Sequence, residues 1–236
     1  MQRYFGLIKD NKAFLNEEDA HHLNVLRTKI GEHIEVVDTS KLFECCVDGL
    51  SPLDITVITE ISVDNELKKE VTLFFSLSKG DKNEFVIQKA TELGATRIVL
   101  IDSSRTVMKI KKEDVQRKLE RYQKIAKEAS EQSHRLVVPS IEGVYQLNKI
   151  EKSLLPELCF VAYEKEAGKT TNSFVGLEKA KSIGVFIGPE GGYDEKEIAY
   201  LNSLGVESIS LGKRILRTET AAVYALSVIS FMLERK

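Results

Sequence analysis

The sequence predicts an α/β protein in two parts: a small all-β segment, then a larger segment in which strands and helices alternate around a mainly parallel sheet. Three observations predict it. Short apolar runs separated by turn residues fill positions 33–63. Beyond a polar stretch at 64–70, strand-like runs become widely spaced. Between them, Val115, Leu119, Tyr122, Ala126 and Ala129 recur at spacings of four and three, as one face of a helix requires. Closely spaced strands form hairpins, whereas strands separated by helices pair in parallel through crossovers.

Each element follows from its local pattern. A small helix is expected around Ala20 to Thr28, with one of His21 and His22 packed and the other exposed. His33 to Asp38, Lys41 to Val47 and Ile55 to Val63 read as strands, divided by Thr39-Ser40 and by Asp48-Gly49-Leu50-Ser51-Pro52. The polar run Asp64 to Glu70 marks a linker, which gives domains at 1–70 and 71–236. Val71 to Leu77, Arg97 to Ile101, Leu158 to Tyr163, Ile183 to Ile187 and Val206 to Ile209 are the strands of the second part. Its last helix, Ala221 to Leu233, is apolar except for Ser227 and Ser230, so it belongs in the core or against a partner subunit.

Composition excludes several classes. With 236 residues, 42% hydrophobic and 30% charged, the chain can bury one large core or two modest ones. No apolar run approaches the length needed to cross a bilayer, and the N-terminus lacks the apolar core of a signal peptide. Cys45, Cys46 and Cys159 have neither metal spacing nor an even count for disulfides, which fits a reducing cytoplasm and no metal site. The net charge of −2 hides an asymmetry: residues 1–70 hold 8 Lys+Arg against 14 Asp+Glu, and residues 79–135 hold 14 against 9. A bound RNA backbone would draw mainly on the second, basic region.

Two segments carry chemistry. Phe186-Ile187-Gly188-Pro189-Glu190-Gly191-Gly192-Tyr193-Asp194 runs from a strand through a glycine-rich turn to a helix start, with Asp194 and Glu197 at capping-box spacing. It matches neither a P-loop nor a dinucleotide fingerprint, and suggests a small-molecule site lined by main-chain amides. Ser210-Leu211-Gly212-Lys213-Arg214-Ile215-Leu216-Arg217-Thr218-Glu219-Thr220-Ala221 follows the strand at 206–209 and sets three cations at the mouth of an apolar helix. Cations beside a glycine turn and a helix N-terminus point to an anionic ligand or substrate.

In this order the two segments resemble the RsmE family of 16S ribosomal RNA uridine-N3 methyltransferases, within the SPOUT superfamily. Arg3-Tyr4-Phe5, the run from His21 to Arg27, Gln88-Lys89-Ala90-Thr91-Glu92-Leu93-Gly94 and the run from Glu128 to Arg135 are similar to further family motifs, so the resemblance covers essentially the whole chain. Gly94-Ala95 stands where the family often has Gly-Val, and residues 132–135 also depart slightly.

The resemblance implies a PUA-like β-barrel at the N-terminus and a SPOUT-like trefoil-knot α/β domain after it, pairing as a homodimer with the apolar last helix at the interface. It also implies S-adenosylmethionine as cofactor and 16S rRNA as partner, within the small ribosomal subunit, with no metal and no membrane. The cofactor would lie among three loops: Tyr163 and Glu164; Ile187, Gly188, Pro189, Glu190, Gly191 and Gly192; and Ser210, Leu211, Gly212, Arg214, Ile215, Leu216, Thr218 and Ala221.

Uracil N3 is a poor nucleophile until its proton departs, so a carboxylate base and a cation near O2 or O4 are useful. Glu190 and Glu219 are the carboxylates inside the two motifs and Arg217 the neighbouring cation, although Glu219 also suits the N-terminus of its own helix. Arg3, Arg27, Lys79, Lys82, Arg105 and Arg135 are the candidate RNA contacts. Two alternatives stay open: a non-catalytic RNA-binding assembly factor, and methylation of a ribose 2′-hydroxyl.

Overall fold

The computed structural model describes residues 1–164 and 174–235. The chain divides into two compact units, residues 1–66 with 127–137, and residues 67–126 with 138–236. The first unit thus ends inside the polar stretch at 64–70. It also takes in a segment that the sequence pattern groups with the larger part.

In the first unit, strands β1 (Arg3–Phe5), β2 (Leu7–Lys9), β3 (Lys12–Phe14), β4 (His33–Asp38), β5 (Lys41–Leu50) and β6 (Leu53–Ile61) form one sheet. Their order is β1-β4-β5-β6-β3-β2. β1 runs parallel to β4 and the remaining pairs are antiparallel. Between β4 and β5, Thr39 and Ser40 take φ of 48° and 64°, the left-handed pair that a tight two-residue hairpin needs. Tyr4, Leu23, Ile34, Val36, Cys45, Val47 and Ile55 make the core.

Helix α1 (Glu17–Val25) begins three residues before the expected Ala20, because the Asn16 side chain caps it by accepting from the Asp19 N–H at 2.8 Å. Leu23 fills the core side, and His21 and His22 are both exposed, which corrects the expectation that one of them packs.

Two of the candidate RNA contacts lie inside this unit and already have carboxylate partners. Arg3 is buried, and its Nε donates to Glu35 at 2.9 Å. Arg135 is buried as well and pairs with Glu66 at 2.6 Å, while Glu66 also accepts from the Leu136 N–H. Withdrawing either guanidinium would leave a half-buried carboxylate without its partner.

The second unit holds β7 (Glu70–Ser76), α2 (Lys82–Glu92), β8 (Arg97–Asp102), β9 (Ser140–Gln146), β10 (Leu158–Ala162), β11 (Ser182–Ile187), α4 (Glu195–Ser203), β12 (Glu207–Ile209) and α5 (Thr218–Glu234). Helix α3 (Lys112–Gln132) starts here, and its last residues fall in the first unit. The sheet order is β12-β10-β11-β7-β8-β9 and every pair is parallel. Val71, Leu73, Phe75, Ile98, Leu100, Phe160, Val185 and Ile187 fill one face against α2 and α5. Phe74, Val99, Val161 and Phe186 pack the other against α4.

Parallel pairing brings the carboxyl ends of all six strands to one edge, and the chain reverses direction around β10, since β11 lies on one side of it and β12 on the other. Helix α5 packs on α2 and β11 through Ala222, Ala225, Leu226 and Ile229, and leaves Tyr224 and Phe231 exposed.

Candidate active site

At that reversal the loops after β10, β11 and β12 enclose a cleft of about 650 Å³, counting its open mouth. Its walls come from Ala162, Tyr163 and Glu164 after β10, and from Ile187, Gly188, Pro189 and Gly192 after β11. Ser210, Leu211, Gly212, Lys213, Arg214, Ile215, Leu216, Thr218 and Ala221 complete it after β12. A largely apolar lining with a few polar groups is what small-molecule sites use.

The local sequence explains why these loops hold their shape. Gly212 has φ of 113°, a region open mainly to glycine, and a Cβ added there would meet nothing within 4 Å, so its α-carbon borders open space. The Ser210 hydroxyl turns back on this glycine, receiving its N–H and donating to its carbonyl, both at 3.2 Å. Gly192, at φ of 64°, lets the Glu164 carboxylate lie where a Cβ would come within 3.0 Å of it. Gly188 faces the buried Tyr193 ring, whose hydroxyl bridges Ser76 and the Ile187 carbonyl.

The turn at 188–194 is braced from both sides. Asp194 accepts from the Glu197 N–H at 2.8 Å while Glu197 accepts from the Asp194 N–H at 2.9 Å, a complete capping box on α4. The loop after β8 reaches the same turn. The Ser104 N–H donates to Glu197 at 2.7 Å, the Ser104 hydroxyl donates to Asp194, and Arg105 donates to the Gly191 carbonyl at 2.8 Å.

Charged groups gather beside the cleft. Lys82, the first residue of α2, lies 3.1 Å from Glu190 and 3.4 Å from Glu219. Burial pushes the Glu190 carboxyl up, but hydrogen bonds from its own backbone and from Lys82 outweigh this and hold it below the usual carboxylate range. The hydrogen bond to Glu190 holds the Lys82 ammonium above its ordinary value, against burial and with Glu219 adding to the effect. Oε2 of Glu219 is buried without a hydrogen bond, so its contact with Lys82 is an ion pair lacking hydrogen-bond alignment. Arg217 sits at the N-cap of α5 and is exposed, as are Lys213 and Arg214.

The three sequence segments expected to form one site are therefore brought together, with exceptions. Glu190 and Gly191 do not line the cleft, and a Cβ on Gly191 would touch the stem of Arg105 instead. Ala162 and Lys213 also line it: Lys213 is one of the three cations expected at the helix mouth, though not among the residues expected to hold the cofactor. Lys213 lies inside the second motif, so it was within reach of the sequence, whereas nothing marks Ala162 before its strand is placed. Of the candidate RNA contacts, Arg27, Lys79 and Arg105 are exposed, and Lys82 is committed to its two glutamates. Among the described residues, no group of His, Cys, Asp and Glu is arranged to hold a metal, and no helix is long and apolar enough to cross a membrane.

A parallel α/β sheet carrying a ligand cleft at its reversal point, preceded by a small strand unit, defines the class, and known proteins match it in both parts. Residues 65–230 match the model of an RNA methyltransferase domain, and residues 15–60 match that of an RNA methyltransferase PUA domain. The chain is 36% identical to the ribosomal RNA small subunit methyltransferase E of Bacillus subtilis, covering 99% of this chain and 98% of that protein. The protein of the same description from Mesomycoplasma hyopneumoniae is 31% identical over 96% of this chain and 98% of its own length. Among solved structures, the Neisseria gonorrhoeae ribosomal RNA small subunit methyltransferase E bound to S-adenosyl methionine superposes with a TM-score of 0.87, at 28% identity and 98% coverage of both chains. The chain belongs to the ribosomal RNA small subunit methyltransferase E family.

Proposed function

We propose that this protein methylates N3 of a uridine in 16S ribosomal RNA, using S-adenosylmethionine, and that it acts on the small ribosomal subunit in the cytoplasm as a homodimer. The observation that carries the proposal is the cleft itself: three separate sequence segments meet at the carboxyl ends of β10, β11 and β12, where the sheet reverses. Its residues fit the cofactor. Gly212 keeps its α-carbon against open space, Ile187, Leu211, Ile215 and Leu216 offer apolar surface for a nucleoside, and the Glu164 carboxylate suits hydroxyls or a positive charge.

When bound there, S-adenosylmethionine supplies an activated methyl group. The chain's own task is mainly to orient the uracil edge and to manage one proton. Glu190 and Glu219 are the carboxylates at hand for that proton. Arg217, exposed and without a side-chain partner among the described residues, is free to donate to a uracil oxygen or to the RNA backbone. Exposed Lys79, Arg105, Lys213 and Arg214 offer phosphate contacts near the mouth. The exposed Tyr224 and Phe231 give α5 an apolar outer face for a second copy of the chain.

Calorimetric titration with S-adenosylmethionine, followed by nucleoside mass spectrometry of small subunits taken from a strain lacking this protein, tests the proposal. Saturable heat and N3-methyluridine are expected. A ribose-methylated product would reassign the acceptor atom, and RNA binding without cofactor heat would leave a non-catalytic assembly factor.

A further inference from the structure

As a lysine in the basic stretch 79–135, Lys82 is by sequence alone a candidate RNA phosphate contact. Its surroundings are unlike those of a phosphate-binding lysine. The ammonium lies between two carboxylates, 3.1 Å from Glu190 and 3.4 Å from Glu219. These carboxylates belong to different loops of one site. Glu190 sits in the turn between cleft-lining Pro189 and Gly192, and Glu219 follows cleft-lining Thr218 in the first turn of α5. Lys82 itself opens α2, the helix against which α5 packs.

We infer that Lys82 is a positioning residue, a cationic brace that ties the turn after β11 to the start of α5 and so sets the width of the cleft. This rests on the cofactor reading of the cleft given above. The physical requirement is plain. Without the cation they share, two carboxylates within reach of one ammonium would repel each other. Moreover, Oε2 of Glu219 is buried with no hydrogen bond, and Lys82 is the cation that an ion pair brings to it among the described residues. Removing one partner of such a pair leaves the other charge uncompensated, and the cheapest relief is for the loop to swing that carboxylate into water. The cleft would open on the side where Pro189, Gly192 and Thr218 line it. The ammonium also remains charged at working pH, held above its ordinary value chiefly by Glu190.

The brace and the phosphate contact predict opposite behaviour. The test compares wild type with Lys82→Met and Lys82→Arg, by calorimetric titration with S-adenosylmethionine, single-turnover methylation of saturating small subunits, and subunit affinity as a function of salt. For Lys82→Met the brace predicts cofactor affinity weakened on the order of tenfold, a comparably slower single-turnover rate, and an unchanged salt slope. Lys82→Arg should recover most of both losses, because a guanidinium can span the same two carboxylates. A phosphate contact predicts instead a salt slope reduced by about one, with cofactor affinity and saturating rate intact, and that result would overturn the brace. An early-melting variant with normal cofactor affinity below its melting point would overturn it too. The wild-type titration stands apart from these variants. If wild type releases no heat with the cofactor, the methyltransferase reading fails by itself.

Discussion

Gly212 and Arg217 stand in one loop and are expected to fail in different ways. Gly212 holds φ of 113° against open space at the cleft wall. Gly212→Val adds a branched Cβ that disfavours this backbone and projects toward the cofactor position. Cofactor binding should vanish while the far-UV circular dichroism stays native; a folded Gly212→Val with wild-type affinity would move the cofactor elsewhere. Gly191 offers the contrast, since a Cβ there meets the stem of Arg105 at 3.4 Å, outside the cleft, and Gly191→Ala should bind cofactor normally. Arg217→Ala should lower the single-turnover rate on the order of a hundredfold, the usual cost of losing a charged donor that matters in the transition state. Cofactor affinity should fall much less, because Arg217 is not among the cleft-lining residues. Wild-type turnover in Arg217→Ala would rule the role out.

At the scale of elements, the cap of α4 is the most exposed to test. The Asp194 carboxyl is held below its ordinary value, first by the hydrogen bond from the Glu197 N–H and then, against some burial, by Ser104. A depressed carboxylate contributes stability that is present above its unfolded value, about 3.9, and is lost as pH falls through the folded value. Asp194→Ala should therefore cost about 1 kcal/mol at neutral pH in denaturant melts, a difference that closes in acid. A gap that persists unchanged at low pH would show that the carboxylate charge is not what stabilises the cap.

That cap was legible in the sequence because its partners are three residues apart, and for the same reason β4, β7, β8, β10 and β11 announce themselves as apolar runs. Strands β1, β2 and β3 are three residues each, too short for alternation to show. Strand β9, with Glu142 and Gly143 in its middle, is only half buried and lacks a clear pattern. Long-range pairing was the other blind spot. Nothing local tells Lys82 that Glu190 lies 108 positions away, or Arg135 that Glu66 lies 69 positions back.

Over the whole molecule, the same blindness separates cations that are counted from cations that are available. The basic excess in residues 79–135 includes Arg135, which is buried and paired with Glu66, and Arg105, which is exposed and spends one N–H on the Gly191 carbonyl. Counterion release depends only on cations that reach phosphates, so these two arginines should separate cleanly in a salt titration of small-subunit binding. Arg105→Ala should reduce the slope of log affinity against log salt by about one and leave the melting temperature nearly unchanged. Arg135→Met should do the reverse. It strands the half-buried Glu66 carboxylate, which also accepts the Leu136 N–H, and losing such a partly buried pair destabilises the fold. Its melting temperature should drop by several degrees. Below that temperature its salt slope should match wild type. A reduced slope for Arg135→Met, without a fall in melting temperature, would mean that the guanidinium leaves Glu66 for the RNA when the subunit binds, and that the Arg135–Glu66 pair belongs only to the free protein.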